Sequence, residues 1–147
     1  MTRRVTPEEA KDLIDKEGWV YVDVRSVGEF QAGHATGAYN VPLNLIGKGG
    51  VTPNEKFLAA MDKVFPRDAK LIVACQAGGR SARAAAQLEG AGFTNVADLS
   101  AGFEGKVDAA TRQVSEPGWR RKNLPVSQDS EPGKTWEGIE ARLGDAK

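Results

Sequence analysis

Two short stretches of the chain are almost continuously apolar, WVYVDV (19–24) and KLIVAC (70–75), and both are rich in β-branched or aromatic residues. Such runs suit strands buried on both faces of a parallel sheet. AYNV (38–41) and NVADL (95–99) are weaker strand candidates. Elsewhere the apolar positions recur at helical spacing. Ala10, Leu13 and Ile14 mark one helix, which stops near Gly18; Phe57, Leu58, Met61, Val64 and Phe65 mark another, which ends before Pro66. RSARAAAQLEGAG (80–92) reads as an alanine-rich helix closed by glycines and able to pack tightly on a sheet.

Capping boxes announce three helix starts. Thr6 with Pro7 and Glu9 opens the first, Ser26 with Glu29 the second, and Thr52 with Pro53 and Glu55 the third. Strands and helices of these lengths in alternation predict a single α/β domain, its central sheet mostly parallel and flanked by helices on both faces. After Ser100 the pattern loosens, with breaks at the two EPG triplets, 116–118 and 131–133. TWEGIEARL (135–143) then places Trp136, Ile139 and Leu143 on one helical face, which must dock on its own domain or on a partner.

Composition narrows the function classes. The 147 residues fit one domain with a real core. Twenty Lys and Arg balance twenty Asp and Glu, so no net charge favours nucleic acid or an anionic membrane. MTRRVTPEEAKDLID lacks the apolar segment of a signal peptide, and no stretch reaches the length of a membrane span. One cysteine excludes an internal disulfide and suits a reducing cytoplasm, where we expect the protein. One cysteine and one histidine make a poor metal site, and no metal is expected.

That cysteine, Cys75, stands at the carboxyl end of a predicted central strand, where open α/β sheets place their ligands. Gln76, Ala77, Gly78 and Gly79 follow, then Arg80, Ser81 and a helix. Such a loop can turn its backbone N–H groups inward as an anion nest, and the helix N-terminus and Arg80 add positive charge. These features favour a thiolate nucleophile over an inert buried thiol. Two classes carry a Cys-to-Arg loop of this kind. Tyrosine-phosphatase-type loops resemble C-x5-R-[ST], whereas only four residues separate Cys75 from Arg80. The shorter loop encloses a smaller guest, and one sulfur atom on Cys75 fits better than a phosphoryl group.

The chain resembles the rhodanese family of single-domain sulfurtransferases. YVDVRSVGEFQAGHATGAYNVP (21–42) looks like the family's first signature, and IVACQAGGRSARAAAQLEGAGFTNVADLSAGF (72–103) like its active-site loop, helix and next strand. NLPV (123–126) resembles the usual end of the domain, so the likeness spans about residues 4–126. It implies a ping-pong reaction without a cofactor. Cys75 would take a sulfane sulfur from thiosulfate or another persulfide donor. It would pass the sulfur to cyanide, a thiol or a protein acceptor. The backbone of residues 76–80 would hold the persulfide.

Other residues take supporting parts in this reading. Arg80 either holds the donor anion or braces the loop by pairing with Glu29 or Asp23. Asp23 and Arg25 match family positions concerned with fold and loop support, and Ser81 is expected to hydrogen-bond at the helix start. His34, the lone histidine, matches a structural position. KVDAATRQVSEPG (106–118) departs from the family pattern as an apparent insertion, either near the active loop or a neutral excursion. The tail, 127–147, lies outside the likeness and either clasps the domain or mediates dimerisation, leaving monomer and homodimer open. The rival functions are a Cys-dependent phosphatase or arsenate reductase, and a non-catalytic binding or sulfur-carrier module.

Overall fold

A computed structural model describes residues 3–47, 49–129 and 131–144. Five parallel strands form the central sheet in the order β1-β8-β7-β2-β4. They are β1 (Arg3–Val5), β2 (Val20–Asp23), β4 (Tyr39–Asn40), β7 (Lys70–Ala74) and β8 (Asn95–Leu99). Between them run α1 (Pro7–Glu17), α2 (Val27–Ala32), the two-residue β3 (His34–Ala35), the hairpin β5 (Asn44–Gly47) and β6 (Gly50–Pro53), α3 (Phe57–Val64) and α4 (Gly79–Gly90). The chain closes with the hairpin β9 (Gly105–Val107) and β10 (Val114–Pro117), a 3-10 turn at Arg120–Lys122, β11 (Val126–Ser127) and α5 (Trp136–Gly144).

The apolar runs of β2 and β7 serve two cores at once, because alternate side chains leave a strand on opposite faces. Val22, Val24, Leu71 and Val73 pack on Phe57 and Met61 of α3, Ala84, Ala85 and Leu88 of α4, and Trp136 and Ile139 of α5. Tyr21, Ile72, Ala74 and Leu99 face Ala10 and Leu13 of α1, Phe30 of α2, and Trp119. Helices therefore flank both faces of a parallel sheet, as the strand pattern predicts.

The first two capping boxes form. Thr6 accepts the N–H of Glu9 at 3.1 Å, and Glu9 accepts that of Thr6 at 2.9 Å. Ser26 and Glu29 repeat the exchange. The third box does not form. Thr52 and Pro53 lie in β6, paired with Leu45 and Asn44, and α3 begins four residues later, at Phe57, with no side-chain cap. Asn54 makes the turn instead: its Oδ1 accepts the Lys56 N–H and its Nδ2 donates to Pro42 O. Leu58, expected on the buried stripe, is 38% exposed.

The tail is part of the domain. Trp136 and Ile139 are buried in the larger core, against α3. The boundary expected at residue 126 thus cuts through one packed unit, and α5 clasps its own domain. The last residues of the predicted tail, 145–147, lie outside the described residues, as does Ser130. The apparent insertion 106–118 is the β9–β10 hairpin, rooted beside the cysteine loop.

Candidate active site

Cys75 directly follows β7, the middle strand of the sheet, and its side chain is buried. The backbone then turns at Gly78 into α4. Gly78 holds φ at +105°, a left-handed conformation that glycine alone adopts without strain, and its N–H donates to Cys75 Sγ at 3.0 Å. A Cβ at this position would sit 2.4 Å from the carbonyl oxygen of Ser100. Ala77 and Gly79 are exposed and form the outer rim of the loop.

A second turn supports the loop from behind. Phe103 N–H donates to Cys75 O at 2.7 Å, and the N–H groups of Glu104 and Gly105 both reach Gln76 O. The approach is backbone to backbone, and a Cβ on Gly102 would lie 2.5 Å from that same oxygen. The carbonyls of Cys75 and Gln76 are thus engaged behind the loop, while the Gly78 N–H faces the sulfur.

The predicted support residues converge on this loop. Arg25 is buried; its Nη2 donates to Asp23 Oδ2 at 2.7 Å and to Gly33 O, and its Nη1 donates to Gln76 Oε1 at 3.1 Å. The Gln76 side chain is therefore a tether to Arg25. Arg80, placed among the substrate-binding residues by its position, directs both terminal nitrogens to Glu29, at 2.7 and 3.1 Å. This two-pronged pairing ties the start of α4 to α2. Burial works to raise the Glu29 pKa, but Arg80 and the N–H and hydroxyl of Ser26 outweigh it and hold the carboxyl at about 2.

Ser81 lies in the first turn of α4, yet it caps nothing. Its hydroxyl is 3.6 Å from Cys75 Sγ, 3.1 Å from Gly78 O and 2.6 Å from Asp98 Oδ1. Asp98 was not singled out in the sequence. The signal available was an acid set between apolar residues in the strand NVADL. The carboxyl is buried, and burial raises its pKa against the opposing effects of Ser81, Arg4 and Lys106.

His34 is held elsewhere. Its ring stacks on Phe30 at 3.8 Å, and its Nδ1 lies 2.8 Å from Phe30 O. Beside the loop a cavity of about 580 Å³ opens between Arg25, Gln76, Phe103, Arg120 and Gln128, a volume within the usual range for small-molecule sites. Among the described residues no group of three or more His, Cys, Asp or Glu is placed to hold a metal ion. No described helix is long and apolar enough to cross a membrane.

Comparison with known proteins agrees with this geometry. The model of the rhodanese-like domain matches residues 6–109. Thiosulfate sulfurtransferase 16, chloroplastic, of Arabidopsis thaliana is 44% identical over 94 residues, 64% of this chain and 78% of that one. The thiosulfate sulfurtransferase GlpE of Pseudomonas putida is 37% identical over 102 residues, 69% of this chain and 82% of its own. Other relatives are longer: the match spans 53% of rhodanese-like domain-containing protein 9, chloroplastic, of Arabidopsis thaliana, at 32% identity and 68% of this chain. The crystal structure of Rv0390 from M. tuberculosis superposes with a TM-score of 0.71 at 32% identity, covering 87% of this chain and 98% of that one. A glycine loop around a strand-end cysteine, on a five-stranded parallel sheet and with this family match, places the chain in the rhodanese-like domain family.

Proposed function

We propose that this protein is a sulfurtransferase that carries sulfane sulfur as a persulfide on Cys75. The observation that carries the reading is the contact between the Gly78 N–H and Cys75 Sγ, 3.0 Å, at the mouth of a glycine loop. A donor aimed at the sulfur favours negative charge there. Cys75 attacks the outer sulfur of thiosulfate or another persulfide donor, and sulfite or a thiol leaves. The terminal sulfur then rests among the N–H groups of residues 76–80. Cyanide, a thiol or a protein acceptor attacks it and returns Cys75 to its starting state.

Arg25 and Arg80 are both paired with carboxylates, so the donor is recognised chiefly by backbone dipoles and by the size of the loop. Four residues between Cys75 and Arg80 suit one sulfur atom better than a phosphoryl group. Two relatives named as thiosulfate sulfurtransferases favour the same chemistry. A carrier that works through a free cysteine needs a reducing compartment, and the cytoplasm is the one we assign.

Intact-protein mass spectrometry after incubation with thiosulfate tests the reading. Wild type should gain one sulfur, about 32 Da, and lose it to cyanide, while folded Cys75→Ser gains nothing. A wild type that takes no sulfur from thiosulfate or from a low-molecular-weight persulfide overturns the proposal.

A further inference from the structure

The side chains of Cys75, Ser81 and Asp98 form a line that the sulfur-transfer scheme leaves unused. Ser81 has one hydroxyl proton and two acceptors for it, Asp98 Oδ1 at 2.6 Å and Gly78 O at 3.1 Å. An ionised carboxylate at the shorter distance takes that proton. The oxygen's lone pairs then face Cys75 Sγ at 3.6 Å, where they accept the thiol proton. Sulfur, hydroxyl and carboxylate are thus connected as S–H···O–H···O⁻, all three residues being buried.

We propose that Asp98 is the proton acceptor for Cys75, acting through Ser81. This rests on the reading of Cys75 as the sulfur-carrying nucleophile and adds the fate of its proton. As Sγ attacks the outer sulfur of thiosulfate, the thiol proton passes to Ser81 Oγ and the Ser81 proton passes to Asp98 Oδ1. A new Sγ–S bond forms, the donor's S–S bond breaks, and its electron pair leaves on sulfite. The charge formerly on Asp98 now resides on the terminal persulfide sulfur, beside the loop amides. In the second half-reaction the acceptor removes that sulfur, and Cys75 departs with the electron pair of the broken bond. It regains its proton from Asp98 along the same path. No net proton is consumed, and no group outside the chain is needed.

The surroundings of Asp98 suit an acceptor. Burial raises its carboxyl pKa, which makes it a stronger base. The charged groups facing it are Arg4 of β1, whose Nε lies 3.6 Å from Oδ2, and Lys106 of β9, which also pairs with Glu116 of β10. Both oppose the effect of burial and favour the charged form, the one that accepts a proton. Asp98 touches no substrate; it is a positioning and proton-holding residue behind Ser81.

The test is the pH profile of sulfur loading from thiosulfate, followed by mass, in wild type, Asp98→Asn, Ser81→Ala and Ser81→Thr. Wild type should rise through an acid inflection belonging to Asp98 and level off near neutrality. Asp98→Asn and Ser81→Ala should lose that inflection and fall on the order of tenfold at neutral pH, then rejoin wild type at alkaline pH, where hydroxide takes the proton instead. Ser81→Thr keeps a hydroxyl and should keep the wild-type profile. Asp98→Asn with the wild-type rate and inflection overturns the proposal; if that variant does not fold, the contrast between Ser81→Ala and Ser81→Thr decides it. Alkylation of Cys75 by iodoacetamide over the same pH range separates the two ideas, since it requires a nucleophile but no sulfur transfer. Wild type that is alkylated with the acid inflection but takes no sulfur refutes the transferase reading and keeps the relay; alkylation that is indifferent to Asp98→Asn refutes the relay.

Discussion

At Glu29 one carboxylate closes the capping box of α2 and anchors Arg80 at the start of α4, so a local helix signal and a tertiary brace share Oε1, while Oε2 serves Arg80 alone. The folded pKa of about 2 lies below the ordinary 4.5. This contribution to stability is therefore complete above the ordinary value and is lost as pH falls toward 2. With both side chains partly exposed, the pair is worth about 1–2 kcal/mol. Arg80→Ala should accordingly lower the melting temperature by about 5 °C at neutral pH. Glu29→Gln should flatten the acid limb of stability between pH 4.5 and 2, read by thermal denaturation across that range. An acid limb unchanged in Glu29→Gln would show that the brace carries no stability. His34 makes the opposite case: stacked on Phe30 and bonded to its carbonyl, it should tolerate alanine in sulfur-loading assays while costing about 1–3 kcal/mol in denaturant melts. Loss of loading at unchanged stability would instead give it a catalytic part.

Among the elements, the cysteine loop depends on the turn behind it. Gly102 holds φ at +74°, and a Cβ there would meet the backbone of Gln76 and Ala77 at 2.5–2.8 Å. Gly102→Ala should cost about 2 kcal/mol or more and slow sulfur loading, because the loop must move to admit the methyl group. Gly18, at φ +73° with nothing within 4 Å, is the matched control. Its alanine variant should lose only about 1 kcal/mol and load normally. Equal loading rates in the two variants would refute the coupling between turn and loop. The same scale shows where local patterns mislead. Thr52, Pro53 and Glu55 read as a capping box, but β6 pairs Thr52 with Leu45 across a hairpin, and hydrogen bonds to a neighbouring strand displace the helical start to Phe57. Ser26 and Glu29 compete with no such partner, and their box forms.

Across the whole molecule, α5 completes the core on the α3 and α4 side of the sheet. Ile139 is fully buried and Trp136 nearly so, although both lie beyond the family match, which ends at residue 109. Ile139→Ala should therefore cost about 2–5 kcal/mol in equilibrium unfolding, as for any large core aliphatic. A loss below about 0.5 kcal/mol, the size of a surface substitution, would mean that α5 is an accessory strap and not part of the core.

The alternation of the main strands and helices, the two-faced burial of β2 and β7, and the position of Cys75 at a strand end were legible because each depends on local periodicity and glycine placement, whereas β1 and the two hairpins were not read. The first two capping boxes were legible for the same reason. Arg80 could be read in the sequence only as substrate ligand or brace; its pairing with Glu29, which is 51 residues away, exists only in the fold. Asp98 acquires its chemistry from Ser81 and Cys75 across two elements, and the hairpin β9–β10 from its seat behind the loop. These are relations between distant segments. Local pattern dictates which elements form, whereas hydrogen-bond partners and charge neighbours exist only once the sheet has brought the strand ends together.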